Sequence, residues 1–208
     1  MTVINKLATS FNKKDEGPNI ELAKQIAAAK DKTAVKELVD HLTDKNKSIQ
    51  HDCIKTLYEI GSLQPSLIAA YYSTFLSLLA SKDNRMQWGA MTALNSITTE
   101  KTDQFVKDLP ILENAANAGS VITKDGFIGI LVKLISHSKN NDRPFKVLIA
   151  NLQTAAVNQL PMYAENALPV ISEKYKKAFI ETLQSRLKDI EKDSKKKRVE
   201  KVIRQLSK

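Results

Sequence analysis

The sequence predicts an all-α chain built as a right-handed α-solenoid of about five helix pairs. Three observations carry this. Leu57, Leu94 and Leu131 lie 37 residues apart in succession. Their neighbours fall into the same register: Cys53, Ala90, Phe127; Ile54, Met91, Ile128; Ile60, Ile97, Leu134. Four apolar columns on one spacing make an internal repeat, and a repeat of this length made of helices is a stacked array. Third, six Gly and six Pro in 208 residues are too few for a turn-dense, sheet-rich fold.

Taken in order, the chain opens with Val3, Ile4, Leu7 and Phe11 at helical spacing, which predicts an N-terminal capping helix within residues 1–18. Gly17-Pro18 ends it, and Asn19 is placed to cap the next helix. Asp15 and Glu16 follow closely and arginine is absent, which argues against a transit sequence; no apolar run with a small-residue cleavage site marks a secretory signal. The first repeat, 19–45, carries the stripe Ile20, Ala23, Ile26, Ala27, then a second helix with Val35, Leu38, Val39 and Leu42. In the second, 46–82, Asn46 opens a helix expected to stop at Gly61. Pro65 suits the first turn of its partner, which carries Leu67, Ile68, Tyr71, Tyr72, Phe75, Leu76 and Leu79.

The third repeat, 83–119, starts at Asp83, a good N-cap. Its second helix, 102–118, contains Pro110 and should kink or split there. The fourth, 120–158, has a helix over 123–137, the polar loop SKNND, and a second helix from Pro144. Residues 159–208 form a divergent last repeat: a short helix between Pro161 and Pro169, a long one with Phe179, Ile180, Leu183, Leu187 and Ile190, and a basic capping helix. That last helix sets Val199, Val202, Ile203 and Leu206 on one face. Lys195, Lys196, Lys197, Arg198, Lys201 and Arg204 occupy the others.

Composition bounds the function class. The charged and apolar fractions, 26% and 42%, are those of a soluble globular protein. No run approaches the roughly 18 apolar residues of a membrane span, so no membrane partner is expected. The single cysteine, Cys53, sits in an apolar column; it reads as a small buried hydrophobe in a reducing, cytoplasmic setting. The net charge of +9 is uneven: residues 171–208 hold 13 Lys+Arg against 6 Asp+Glu, and the rest of the chain nets +2.

Chemistry-bearing motifs are sparse. His41, His51 and His137 lack Cys, Asp or Glu at ligand spacing, so no metal site is expected. Gly126 and Gly129 lie in a helical pattern without a following Lys-Ser or Lys-Thr, so no phosphate loop or cofactor is expected. No nucleophile elbow or paired carboxylates stand out, and the chain reads as non-enzymatic.

Paired helices on a period near 37, opened by Asn46 and Asp83, resemble the HEAT repeat family of armadillo-like α-solenoids. The resemblance covers about residues 19–158 clearly, and its degenerate motif identifies architecture only. It implies protein–protein interaction: a scaffold holding a protein or peptide partner on the concave face formed by second helices. Tyr71, Tyr72, Trp88, Arg143 and Lys146 are the expected partner contacts. Trp88 has the polar equivalents His51 and Asp125, so it packs against a neighbouring repeat or serves as an exposed anchor. The alternative is nucleic-acid binding, through similarity to the HEAT-like glycosylases that excise alkylated bases. Against it stand the single tryptophan, no matching catalytic Asp and few basic residues on the second helices. The basic patch predicts at most weak, sequence-blind retention of nucleic acid.

Overall fold

The computed structural model describes residues 2–12, 15–139 and 141–207. These form α-helices α1 (Gly17–Ala29), α2 (Lys32–Asp40), α3 (Lys47–Leu63), α4 (Tyr72–Leu78), α5 (Asn84–Ser96), α6 (Thr102–Lys107), α7 (Leu109–Ala118), α8 (Val121–His137), α9 (Asp142–Thr154), α10 (Leu160–Ala167), α11 (Glu173–Arg186) and α12 (Asp193–Leu206), with short 3₁₀ turns between them and no strand among the described residues. The protein is all-α. All twelve residues of the four repeat columns are fully buried.

The helix starts follow local chemistry. Asp31 accepts from the backbone N–H groups of Thr33 and Ala34, Asn46 from Ser48, and Asp83 from Arg85 and Met86. Each side chain satisfies donors that the first helical turn leaves unpaired, as expected for Asn46 and Asp83.

Four local expectations are corrected. Instead of one N-terminal helix, two 3₁₀ turns, Val3–Lys6 and Ala8–Phe11, flank Leu7, which is extended; Met1, Lys13 and Lys14 lie outside the described residues, as does Asn140 of the SKNND loop. Asn19 does not cap α1, which begins two residues earlier; it is fully buried, accepting from the Ala8 N–H at 2.9 Å and donating to Asp52 Oδ1 at 2.8 Å. Asp52 also accepts from the Thr9 N–H and hydroxyl, at 2.7 and 2.6 Å. A buried carboxylate needs such donors, and supplying them recruits the N-terminal segment out of a helix. Gly61 does not end α3; it lies buried inside it, and a Cβ there would sit 2.5 Å from Ile68 Cδ1. The helix expected after Pro65 begins as two 3₁₀ turns, Pro65–Leu67 and Ala69–Tyr71, and becomes α-helical only at Tyr72. The predicted break at Pro110 is present: α6 ends at Lys107 and α7 starts at Leu109, because proline cannot donate within the helix and clashes with the preceding turn.

The chain divides into two compact units: residues up to Lys101 with Pro110–Phe127, and Thr102–Leu109 with Ile128 onward. In the first, α1 packs on α3 and α3 on α5, while α2 and α4 pack against α3 and α5 respectively. Gly89 of α5 permits the close α3–α5 approach, since a Cβ there would lie 2.7 Å from Ile54 Cγ1. In the second, α9 packs on α11 and α10 on α12. Several polar bonds join alternate helices at separations of 32 to 34 residues, while Arg143–Val106 and Lys195–Asn158 span 37. Asn19–Asp52 spans 33 residues, His51–Asp83 32, Tyr175–Asn141 34, Arg186–Leu152 34 and Arg198–Glu165 33.

Candidate functional site

The second unit holds a surface pocket of about 370 Å³ between α9 and α11, lined by Asp142, Phe145, Lys146, Ile149, Lys174, Tyr175 and Ala178. Its base is aromatic: Phe145 and Tyr175, both buried, stack with ring centroids 4.0 Å apart and planes at 17°. Residues 145, 146 and 149 present one side of α9, and 174, 175 and 178 one side of α11, as i, i+3 and i+4 spacing requires.

The two helices are tied at both ends. At the start, the Tyr175 hydroxyl shares its hydrogen between Asn141 Oδ1 at 2.6 Å and Asp142 Oδ1 at 2.7 Å. At the far end, the Arg186 guanidinium donates to the carbonyls of Leu152, Gln153 and Ala155 at 2.6, 2.8 and 2.9 Å, and to Asp189 Oδ2 at 2.6 Å. Arg186 thus serves the carbonyls that the end of α9 leaves open. Since the starts meet and the ends meet, α9 and α11 run parallel.

Charge lies on the rim. Lys174 Nζ sits 2.5 Å from Asp142 Oδ1 and 5.2 Å from the Tyr175 ring centre. Hydrogen bonds from Lys174 and Tyr175 hold the Asp142 carboxyl below the usual carboxylate range, and Asp142 in turn holds the Lys174 ammonium up. Burial, then the hydrogen bond to Asp142, pushes the Tyr175 phenol up, so it remains a donor at neutral pH. Lys146 is exposed and makes no hydrogen bond or ion pair among the described residues.

Of the sequence-predicted contacts, only Lys146 lines this pocket. Arg143, one residue beyond Asp142 on α9, is exposed and donates to the Val106 carbonyl at 3.2 Å. The expectation for Tyr72 is corrected: at 2% exposure its ring is core, because it opens α4 on the face packed against α5, and it cannot meet a partner. Tyr71 is half-buried. Trp88, in the first unit, is also half-buried and packs on Tyr58 of α3, centroids 5.9 Å apart. Phe145, Tyr175 and Lys174 were missed. The spacing Tyr175, Phe179, Leu183 carried a usable signal, a buried stripe at i, i+4, i+8; the stacking of Phe145 on Tyr175 had none.

The first unit carries a second polar cluster. His51 Nε2 lies 2.9 Å from Asp83 Oδ2, Glu16 bridges Lys55 at 2.9 Å and Arg85 at 2.5 Å, and Lys55 also meets Glu59 at 2.7 Å. Burial works against the Lys55 charge, but Glu59, Tyr58 and Glu16 hold its ammonium up. Burial likewise opposes ionisation of Asp83, and the bonds from His51 and the Met86 N–H outweigh it. This cluster joins α3 and α5 to Glu16 and borders a pocket of about 240 Å³ whose lining includes Glu16, His51, Asp52 and Arg85; the Arg85 Nε–H is buried without a hydrogen-bond partner among the described residues. Among the described residues no three His, Cys, Asp or Glu are placed to hold a metal ion. No helix of the described residues is long and apolar enough to cross a membrane. Cys53 is buried, which pushes its thiol up and leaves it unreactive.

On α12, Arg198 pairs with Glu165 of α10 at 2.8 and 2.5 Å, and Lys195 bonds to Asn158. Lys195 and Lys196 are half-buried; Lys197, Lys201 and Arg204 are exposed. The basic patch is therefore partly spent on docking its own helix.

No protein-family model and no curated protein matches the chain. Solved structures do. Three crystal structures of engineered proteins, targets of the Northeast Structural Genomics Consortium, are each 20% identical to it. One matches with a TM-score of 0.63 over 100% of this chain and 97% of its own. A second scores 0.60 over 99% of this chain and 58% of its own, and a third 0.58 over 99% of each. At this identity the likeness is one of fold.

Proposed function

We propose that this protein is a non-enzymatic helical-repeat scaffold of the HEAT-like kind, holding a protein or peptide partner against the α9–α11 face. The observation that carries the reading is the pocket itself: an aromatic base and lysine rim on two helices tied together at both ends. A preorganised site binds with little ordering cost, and a buried aromatic floor beneath a polar rim is the anatomy of a protein-binding hot spot. The repeat reading draws support from the buried columns 37 residues apart and from polar bonds recurring at 32 to 34 residues. Stacking units of that period is how such arrays bury their cores. A reducing, cytoplasmic setting fits a lone buried cysteine.

The second reading, nucleic-acid binding, is favoured by charge. Residues 102–109 and 128–208 hold 18 Lys+Arg against 10 Asp+Glu, a net +8, leaving +1 for the other unit. The pairing of Arg198, Lys195 and Lys174 within the protein weakens it. The deciding experiment compares proteins retained from native lysate by the wild-type chain with those retained by Ala178→Trp, which fills the pocket. A set lost specifically from the variant supports the scaffold; an unchanged set removes the α9–α11 face from it.

A further inference from the structure

We infer that the α9–α11 pocket receives one large apolar side chain from an acidic segment of a partner protein, with carboxylates beside that anchor meeting Lys146 and Lys174. This rests on the partner-binding reading above.

The apolar requirement comes from the lining. Phe145, Tyr175, Ile149 and Ala178 offer carbon surface, and the one polar group of the base, the Tyr175 hydroxyl, already donates to Asn141 and Asp142. A polar side chain entering there would lose water without gaining a partner. A space of about 370 Å³ has room for a single bulky side chain of a partner.

The acidic requirement comes from the rim and the surrounding unit. Lys146 stands exposed on the α9 wall with no ion pair among the described residues. Lys174 faces it from α11 with 62% of its side chain exposed; its ammonium has three donors and Asp142 engages one side of it. Among the described residues Asp142 is the one carboxylate lining the pocket, and its Oδ1 is engaged by Lys174 and the Tyr175 hydroxyl. A basic segment would therefore meet two ammonium groups against a single carboxylate, one oxygen of which already carries Lys174, so the rim stays net positive. The unit's net +8 extends the same preference over a longer range and accelerates encounter with an acidic partner. A nucleic acid meets the charge requirement but brings no aliphatic or aromatic side chain for the pocket.

The test is selection of random twelve-residue displayed peptides on the full-length chain at physiological salt. It is followed by fluorescence anisotropy of the enriched peptides on wild type, Ala178→Trp and Lys146→Glu/Lys174→Glu. We expect peptides with one Leu, Met, Phe or Trp among Asp and Glu. Affinity should fall about tenfold or more when that anchor becomes Ala or when Ala178→Trp blocks the pocket. The double charge reversal, on two exposed side chains, should weaken binding and reverse its salt dependence. Enrichment of basic or uncharged peptides that Ala178→Trp still blocks would overturn the acidic partner and leave the pocket reading standing. No enrichment, or enrichment indifferent to both variants, would overturn both. A labelled duplex that displaces the peptide at physiological salt would assign the face to nucleic acid instead.

Discussion

The Tyr175 hydroxyl reaches Asn141 Oδ1 at 2.6 Å and Asp142 Oδ1 at 2.7 Å, joining the first turn of α11 to the start of α9 across 33 to 34 residues of chain. The ring beneath it stacks on Phe145. One side chain thus sets both the base of the pocket and the register of its two walls.

Tyr175→Phe keeps the stack and removes only the hydroxyl. Two acceptors then lose their donor in a partly buried place. The expected cost is about 0.5–1.5 kcal/mol, the net worth of an ordinary hydrogen bond, since Asp142 keeps Lys174 and faces solvent. Denaturant melts of the two proteins check it; an unchanged midpoint would show that the hydroxyl does not hold the helices.

Asp142 gives a pH dependence of defined sign. Its carboxyl is held below the ordinary value, so its contribution is present above about pH 4 and is lost as pH falls through the lower folded value. Lys174 is held up, so the same pair weakens only as pH climbs above the ordinary lysine range, about 10.4. The urea midpoint of wild type minus that of Asp142→Asn should be constant from pH 5 to 9 and shrink below pH 4. A difference that grows on acidification would contradict the pairing.

Leu94→Ala should destabilise the protein by about 2–5 kcal/mol, because Leu94 is fully buried and its loss leaves a cavity. Leu206 is half-buried at the last turn of α12. Leu206→Ala should cost less than half as much, since a terminal turn frays and collapses more easily. Equal losses in parallel melts would count against the repeat columns as the core.

Replacing Lys195, Lys196, Lys197 and Arg198 by Ala should leave the fold in place, because Val199, Val202 and Ile203 still bury α12. The cost should stay within about 1 kcal/mol, that of exposed pairs such as Arg198–Glu165. Duplex retention by the wild type should be weak, blind to sequence and largely gone at physiological ionic strength, where exposed charges are screened beyond about 8 Å. Anisotropy at two salt concentrations decides it. Tight binding at the higher salt would promote the nucleic-acid reading.

The sequence by itself determined the helical class, the four buried columns and the starts of α3 and α5. These are local or periodic facts: an Asp or Asn beside an open helical turn, and apolar residues that recur on one face and so must be covered. It also placed the break at Pro110. Tertiary structure decided what depended on distant partners. Asn19 looked like a cap until Asp52, 33 residues on, claimed it. Gly61 looked like a stop until the side chains of Ser96 and Ile68 took the space. Tyr72 looked like a surface contact until α4 turned it into the core. The pocket belongs to this second group, because Phe145 and Tyr175 are thirty residues apart and become neighbours only when α11 lies along α9. Spacing within a helix is written in the chain, whereas the meeting of two helices is settled by which buried polar groups and rings satisfy one another when they pack.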